Sequence, residues 1–427
     1  MKVEILQEDY YTVFRKGDES LQLYELLQTG SAFEAADRLE NYFRSLGFLP
    51  YHGEARGKFF VRKRGFLTAF SLDGGRMKLA AAHLDSPTYR LKALDPIVRE
   101  DVPVLNVEVY GGPIHLSFWN RPLGLSGVVA YEKDGAIAEE TVVLHEPVAI
   151  FLHQAIHMER TVNDGLAVNP QKELPVYTGS TPLRERIAQA IGTDPEKILG
   201  TDLFLYDLEG PVEMGDYLLS PRLDDLAMAY AIARGMQFAK NAMAIFYNHE
   251  EIGSLTDEGA ESPTVFHILR RIAEANGTDV NALLGDAFLM SADMAHAVHP
   301  DHPETHDPVY RPSLDGGITL KIAANGSYTT HAETEAVVRM VAKRADVPVQ
   351  TFYNASDRRG GSTIGPLRAR TLPVASADIG IAMLSMHAAR EYMARVGITQ
   401  AERFFRAYFE GALPEITHIT KERKETR

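Results

Sequence analysis

Residues 242–253 are Ala242-Met243-Ala244-Ile245-Phe246-Tyr247-Asn248-His249-Glu250-Glu251-Ile252-Gly253. Six apolar residues are followed directly by polar residues that include a histidine and two carboxylates. This pattern is typical of a buried strand that carries polar side chains at its carboxyl end. The segment therefore predicts one strand of a sheet whose edge holds chemically active groups.

Three other apolar segments end in a similar way. Their polar continuations are listed here: 79–82 leads into His83 and Asp85, 287–292 into Asp293, and 373–377 into Asp378 and, nine residues later, His387. Ligands of open α/β sheets bind just beyond the carboxyl ends of the strands. We therefore expect these side chains to converge on a single cluster.

The wider sequence predicts an α/β protein with an inserted β-rich segment. Residues 31–46 begin with a Ser31/Glu34 capping box and have apolar residues at helical spacing. Between about 90 and 150 the chain alternates at period two, which indicates antiparallel strands. Past about 215, strands and helices alternate, which indicates a sheet covered by helices. The alternating segments are 226–239, 242–247, 263–275, 287–292, 330–345, 349–353, 373–377 and 386–396.

This pattern gives a division into two domains. One is discontinuous and comprises residues 1–90 and 215–427, and the other is the inserted β-rich domain at 91–214. The mixed-charge end, residues 421–427, predicts a solvated tail.

Composition limits the kind of partner and the kind of metal site. The 427 residues include 44 Lys and Arg against 58 Asp and Glu, for a net charge of −14. An acidic surface repels phosphate backbones and anionic lipid, so we expect neither nucleic acid nor a membrane as a partner. Cysteine is absent. Any metal site must therefore be built from His, Asp and Glu.

Targeting signals are not evident. The first ten residues include several charged side chains and contain no apolar core of a secretory signal. No apolar run approaches the about 18 residues that span a bilayer. These features predict a cytoplasmic protein.

The paired polar residues carry the chemistry. In His83-Leu84-Asp85, a carboxylate could fix the tautomer of a metal-binding imidazole, although a structural histidine followed by a turn is the simpler alternative. Of Glu250 and Glu251, one could bind metal while the other accepts a proton from water. The alternative is a solvated acidic turn.

Two further groups have structural alternatives. Asp224 and Asp225 precede an apolar helix, so Asp224 could be a metal ligand and Asp225 a helix cap. The four histidines between 295 and 308 lie among prolines, and we expect none of them to be a primary ligand.

Six segments occur in a fixed order: Ala82-His83-Leu84-Asp85-Ser86-Pro87, Ser220-Pro221-Arg222-Leu223-Asp224-Asp225-Leu226, Glu250-Glu251-Ile252-Gly253-Ser254, Ser291-Ala292-Asp293-Met294-Ala295-His296-Ala297-Val298-His299-Pro300, Gly361-Ser362-Thr363-Ile364-Gly365-Pro366 and Met386-His387-Ala388-Ala389-Arg390-Glu391. Together they resemble the aspartyl aminopeptidase family of dinuclear zinc metallopeptidases. The resemblance spans nearly the whole chain and is looser in the middle domain. It implies a mixed-sheet zinc-peptidase catalytic domain sandwiched by helices, with an inserted β-rich dimerisation domain.

The resemblance also implies the roles of individual residues. One zinc ion would be held by His83 and Asp293, the other by Glu251 and His387, and Asp224 would bridge the two. Glu250 would be the general base and Asp85 the carboxylate that orients His83. Nitrogen and oxygen ligands suit zinc, for which cobalt or manganese could substitute.

Assembly follows from the same resemblance. The family commonly forms a tetrahedral dodecamer built from dimers through the inserted domain. A helix after the inserted strands presents a histidine to the active site of a neighbouring subunit. The segment 152–160 is similar to that helix, which makes His157 the candidate. An ordinary polar residue on a helix is the alternative.

Substrate preference depends on one lysine. Lys321 lies among the apolar and small residues of 316–322, which predicts a largely buried ammonium group. A structural ion pair, or a side chain that reaches solvent, is an equally good explanation. The resemblance implies that Lys321 and Tyr328 grip an acidic substrate side chain.

The predicted function is a zinc-dependent aminopeptidase that removes one N-terminal residue, Asp or Glu by preference, from peptides. The alternatives are a related dinuclear hydrolase, such as an aminopeptidase of neutral or broad specificity, and a non-catalytic assembly scaffold. The retained ligand positions argue against the scaffold.

Overall fold

The computed structural model describes residues 21–74, 76–165, 167–285, 287–358, 360–361 and 363–415. The tail predicted at 421–427 lies outside these residues. Among the residues described, none of the helices combines the length and the apolar character needed to cross a bilayer.

The secondary structure elements are numbered in chain order. The strands are β1 (Leu49–Pro50), β2 (Gly57–Lys63), β3 (Phe66–Leu72), β4 (Lys78–His83), β5 (Thr88–Leu91), β6 (Ile97–Arg99), β7 (Val102–Leu105), β8 (Val107–Tyr110), β9 (Leu123–Lys133), β10 (Ala136–Ile150), β11 (Val176–Thr178), β12 (Ile198–Asp207), β13 (Val212–Met214), β14 (Tyr217–Ser220), β15 (Ala242–Tyr247), β16 (Phe288–Ala292), β17 (Ala295–His296), β18 (Ile318–Lys321), β19 (Val349–Phe352), β20 (Ala375–Leu384) and β21 (Glu391–Ala394). The α-helices are α1 (Leu23–Leu27), α2 (Ala32–Ser45), α3 (Pro170–Glu173), α4 (Leu183–Ile191), α5 (Leu223–Met236), α6 (Thr264–Ala275), α7 (Val280–Leu284), α8 (Ala332–Ala345), α9 (Ile364–Ala369) and α10 (Val396–Glu410).

The larger sheet is built around four parallel strands. Its order is β1-β2-β3-β15-β4-β16-β20-β21-β14-β13, while β17 and β18 pair with β20 and β19 pairs with β18. Strands β15, β4, β16 and β20 run in one direction, whereas β3 pairs antiparallel with β15. The sheet is therefore mixed, and the carboxyl ends of its four central strands lie along one edge.

Helices cover both faces of this sheet, because alternate residues of a strand point to opposite sides. Ala80 and Ala82 of β4 pack in the layer that contains α2, α5, α8 and α10. Leu79 and Ala81 pack in the opposite layer, with α6 and α9. The predicted mixed sheet between layers of helices is confirmed.

The start of α2 also follows its sequence signal. The hydroxyl of Ser31 accepts a hydrogen bond from the Glu34 backbone N–H at 3.3 Å. The Glu34 carboxylate accepts from the Gly30 N–H at 2.8 Å, one residue before the position that a capping box requires.

A second sheet comes from residues 88–207. Its order is β6-β7-β11-β10-β9-β12-β5-β8, and its neighbouring strands pair antiparallel. Leu125 and Val129 of β9 and Leu203 of β12 belong to a core that is separate from those of the larger sheet. Whether residues 91–214 form an independent domain stays a prediction.

Two segments of the larger sheet differ from the sequence prediction. Residues 386–396, predicted as a single element, contain a turn and β21, and α10 begins only at Val396. The strand predicted at 373–377 continues to Leu384, so Asp378 lies inside β20 and not at its end. Its carboxylate accepts hydrogen bonds from the hydroxyls of Thr363 and Thr329 and from the Thr329 N–H. Asp378 thus braces two loops and stands outside the acidic cluster at the sheet edge.

Candidate metal centre

The carboxyl ends of the four central strands deliver the candidate side chains. His83 is the last residue of β4, and Asp293 directly follows β16. Glu250 and Glu251 open a short 3₁₀ turn that is separated from β15 by two residues, Asn248 and His249. His387 follows the end of β20. The predicted convergence therefore results from parallel strands that end at one edge.

Asp224 lies between the two histidines. Its Oδ1 is 3.5 Å from His83 Nε2, and its Oδ2 is 3.5 Å from His387 Nε2. His83 Nε2 is also 3.8 Å from Asp293 Oδ1, and His387 Nε2 is 3.4 Å from Glu251 Oε1. The five predicted ligands thus form two adjoining groups that share Asp224.

The first turn of α5 is irregular where it carries these groups. Asp224 and Asp225 have non-helical backbone angles and are joined by a cis peptide bond. The carboxylate of Asp225 accepts a hydrogen bond from the His83 backbone N–H at 3.2 Å. Asp225 was expected to cap its own helix, but the non-helical turn directs its carboxylate to β4.

Backbone carbonyls fix the tautomers of both imidazoles. His83 Nδ1 is 3.0 Å from the Asp85 carbonyl oxygen, and His387 Nδ1 is 3.1 Å from the Gly112 carbonyl oxygen. A carbonyl oxygen only accepts hydrogen bonds, so each Nδ1 must carry the hydrogen. Each Nε2 is then directed at the carboxylates, which is the arrangement that metal coordination requires.

The Asp85 carboxylate supports the turn that bears the two glutamates. Its Oδ1 and Oδ2 accept hydrogen bonds from the N–H groups of Glu250 and Glu251, each at 3.1 Å. The Tyr110 hydroxyl donates a third bond to Oδ2 at 2.8 Å. The carboxylate itself is 3.6 Å from His83 Nδ1, farther than the carbonyl of the same residue.

The site concentrates negative charge in a buried place. Burial raises the pKa of Glu250 and of Glu251, and neighbouring carboxylates raise both pKa values further. Burial also raises the pKa of Asp225. Burial opposes ionisation of Asp224, but its contacts with His387 and His83 outweigh burial and lower its pKa. Burial and neighbouring carboxylates therefore favour the protonated forms of these groups, whereas the two histidines favour the ionised form of Asp224.

The donor set fits divalent cations. In the described part of the chain, Asp224 Oδ1 and Asp225 Oδ1 are buried without a hydrogen-bond partner. Three sets of side chains each place one ligand atom per residue within 4.8 Å of the others: His83, Asp224 and Asp293; Asp224, Glu251 and His387; and His83, Glu250 and Glu251. Imidazole and carboxylate ligands without sulfur suit zinc, manganese or cobalt.

A cavity of about 470 Å³ opens beside this cluster, and Lys321, Tyr328 and His296 contribute to its lining. Lys321 is buried, with its Nζ 3.1 Å from Asp293 Oδ2 and 5.8 Å from the centre of the Tyr328 ring. Burial opposes the ammonium charge, but Asp293 outweighs burial and raises the pKa of Lys321.

His157 is absent from the residues that line the cavity beside the cluster. The segment 152–160 forms turns, not the helix expected from the resemblance, and His157 is exposed. The neighbouring side chains of Leu152, Ile156 and Met158 are exposed by 46%, 48% and 77%. A short helix is stable only when its apolar side chains pack against another surface. In the described part of this single chain, these three side chains are exposed instead.

Sequence reasoning did not single out Glu391. Its carboxylate accepts hydrogen bonds from the Asp224 N–H at 2.9 Å and from the His387 N–H at 2.8 Å. The residue was visible in the segment 386–391, but its contact with Asp224 depends on the pairing of β21 with β14. A single sequence carries no signal of that pairing.

Comparison with known proteins identifies the family. Residues 49–409 match the model of the aminopeptidase I zinc metalloproteases, M18. The chain is 36% identical over 413 residues to a Clostridium acetobutylicum protein described as "Probable M18 family aminopeptidase 2", a match that covers 89% of this chain and 95% of the relative.

Solved structures have the same fold. A structure of the Ape4 and Nbr1 complex matches with a TM-score of 0.85 and 29% identity, covering 91% of this chain and 84% of that chain. The S. cerevesiae mApe1 dodecamer matches with a TM-score of 0.78 and 23% identity, covering 91% and 95%. The chain therefore belongs to the M18 family of aminopeptidases, which are zinc metalloproteases.

Proposed function

We propose that this aminopeptidase removes single N-terminal residues from peptides, Asp and Glu by preference, at a centre of two zinc ions. The observation that carries the two-metal proposal is the position of Asp224, with one carboxylate oxygen directed at each histidine. As a member of an aminopeptidase family, the chain is an enzyme and not the non-catalytic scaffold considered above.

Each ion would have its own ligands and share one. His83 and Asp293 would hold the first ion, Glu251 and His387 the second, and Asp224 would bridge them. Asp224 Oδ1 is buried without a hydrogen bond and lies 3.5 Å from His83 Nε2. This supports an ion held between the two atoms, because a buried carboxylate oxygen that accepts no hydrogen bond is costly. Cobalt or manganese could replace zinc with the same ligands.

Glu250 would be the general base. Bound zinc would lower the pKa of a water molecule and polarise the scissile carbonyl. Glu250 would take the proton from the attacking water and return it to the leaving amine. Two features support this role: the N–H of Glu250 is held by Asp85, and burial raises the pKa of the Glu250 carboxyl, which makes its carboxylate a stronger proton acceptor.

The acidic preference rests on Lys321. Its buried ammonium lies at the cavity wall beside the metal ligands, where it could form a charge-assisted hydrogen bond with an Asp or Glu side chain. The contact with Asp293 supports the alternative as well, because an ion pair that only holds a ligand in place would leave the specificity neutral or broad.

Substrate selectivity distinguishes these two roles. We expect wild-type enzyme to hydrolyse Asp and Glu anilides faster than Leu and Ala anilides. Lys321→Leu should reduce kcat/KM for the acidic substrates about ten- to a hundred-fold more than for the neutral ones, since a hydrogen bond to a charged group contributes about 1.5–3 kcal/mol. If Lys321 only holds Asp293 in place, its replacement would lower kcat/KM equally for all substrates. The ratio of acidic to neutral kcat/KM would then stay unchanged.

Lys78→Leu is the matched control. Lys78 is also buried, but it lies at the opposite end of β4, where it donates to the carbonyl oxygens of Phe409 and Gly411. Its replacement should leave the acidic-to-neutral ratio unaltered. A wild-type preference for neutral residues, or an unaltered ratio in Lys321→Leu, would contradict the acidic specificity.

We also propose that the chain forms a tetrahedral dodecamer from dimers and acts in the cytoplasm. Residues 91–214 would form the assembly domain, and 1–90 with 215–427 the catalytic domain. The exposed apolar side chains beside His157 support a subunit contact there. The similar mApe1 structure is a dodecamer by its description.

Light scattering at micromolar concentration should give a mass of about 570 kDa, twelve times the chain mass of 47.3 kDa. If His157 completes the site of a neighbour, His157→Ala should reduce kcat while the mass stays the same. A monomer with full activity would contradict both the assembly and the shared role of His157.

A further inference from the structure

We propose that Glu391 is a positioning residue that locks two metal ligands, Asp224 and His387, in one relative orientation. This inference rests on the proposed two-metal centre. The basis is a single buried carboxylate, 2% exposed, whose two oxygens accept from the backbone N–H groups of these two ligand residues.

The topology explains how one side chain reaches both. Glu391 is the first residue of β21, and it pairs in register with Ser220, the last residue of β14. Ser220 is four residues before Asp224, and His387 is four residues before Glu391. The pairing of the two strands therefore brings the first turn of α5 and the loop after β20 against the same carboxylate.

Both ligand residues have backbone conformations that need such support. His387 has φ +68°, a left-handed conformation that is unfavourable for a residue with a side chain. Asp224 has φ −83° and ψ 108° at the irregular start of α5, so its N–H lies outside the regular hydrogen bonds of the helix. Glu391 satisfies both N–H groups and so fixes the direction of both side chains.

The effect should be uneven across the centre. Asp224 and His387 meet at the group that also contains Glu251. His83 is held independently, through the Asp85 carbonyl and the Asp225 carboxylate, and Asp293 through its N–H bond to the Ile379 carbonyl. Loss of Glu391 should therefore weaken the ion beside His387 more than the ion beside His83.

Glu391→Gln tests this directly. Glutamine keeps the shape but has one accepting oxygen, so its NH₂ group would face one of the two backbone donors. We expect one of the two zinc affinities, measured by competition with a chromophoric chelator, to fall about 10- to 100-fold, as is usual for a lost outer-shell contact. The visible spectrum of the Co²⁺-substituted variant should change as well, since it reports ligand geometry and not turnover.

Asp207→Asn is the control. Asp207 is also a buried carboxylate. It accepts a hydrogen bond from the Glu209 backbone N–H at 3.0 Å and pairs with Arg121 at 2.9 Å, and neither partner is a candidate ligand. Its replacement should leave both zinc affinities and the Co²⁺ spectrum as in the wild type. Thermal unfolding of the metal-free variants shows whether the two replacements disturb folding equally.

Each outcome decides the matter. Unchanged zinc affinities and an unchanged Co²⁺ spectrum in Glu391→Gln would overturn the inference and leave the two-metal centre intact. A wild-type chain that binds fewer than two ions would overturn both. If Glu391→Gln does not fold, Glu391→Asp, which is too short to reach both donors, takes its place. Failure of both variants to fold while Asp207→Asn folds would assign Glu391 to folding instead.

Discussion

Replacement of Glu250 by Gln is expected to reduce kcat by about 10²- to 10⁴-fold, the usual contribution of a general base. The amide has nearly the same shape as the carboxylate but cannot take a proton from water. Because Glu250 is outside the two groups that share Asp224, zinc content should stay close to that of the wild type. Zinc should be measured by atomic spectrometry on the same samples that are used for kinetics.

Glu251→Gln is the matched comparison, since it makes the same change one residue away. Glu251 Oε1 is 3.4 Å from His387 Nε2, and its replacement should lower zinc content as well as activity. Glu250 also lies within ligand distance of His83 and Glu251, so the two roles need this direct test. Full zinc content in Glu251→Gln, with depletion in Glu250→Gln, would show that the roles are interchanged.

Removal of metal with a chelator is expected to abolish activity and to lower the melting temperature, and added zinc should restore both. At free zinc about a thousand-fold above Kd, each site would add about 4 kcal/mol to the free energy of unfolding. Without cations, several carboxylates share one buried place with His83, His387 and Lys321 as the neighbouring cationic groups. Repulsion among these carboxylates would further lower the free energy of unfolding.

The Asp224→Asn variant shows whether the fall in melting temperature comes from loss of metal or from another effect of the chelator. The amide removes the charge between the two groups, so the melting temperature of this variant should respond much less to chelator and to zinc. Differential scanning calorimetry on both proteins gives the comparison. Equal melting temperatures of the wild type with and without chelator would contradict a metal centre at this edge.

The sequence predicted the sheet edge well because its signal was local. Strands β4, β15 and β16 were each short apolar runs followed by polar residues, and parallel neighbours present their carboxyl ends at the same edge of a sheet. His83, Asp293 and His387 accordingly lie near one another, although their individual roles stay predictions until tested. Asp378 shows the limit of this rule. Threonine hydroxyls satisfy its carboxylate inside β20, so a polar residue after an apolar run does not always end a strand.

Long-range contacts could not be predicted from the sequence. Glu391 acts on Asp224 across 167 residues, and only the pairing of β21 with β14 makes that contact. The segment 152–160 shows a different limit. The resemblance predicts a helix there, but a helix of this length depends on a packing surface, and in the described part of one chain Leu152, Ile156 and Met158 are exposed.

The tautomer-fixing carbonyl of Gly112 and the hydroxyl of Tyr110 have a consequence for protein engineering. Tyr110 ends β8 of the second sheet, and Gly112 is two residues beyond it. The Tyr110 hydroxyl donates to the Asp85 carboxylate, and the Gly112 carbonyl accepts from His387 Nδ1. A chain truncated to its larger sheet would therefore lose an anchor on each half of the centre. A transplanted β-rich insert would need to supply a hydroxyl and a carbonyl at these two places before the graft could hold metal like the parent.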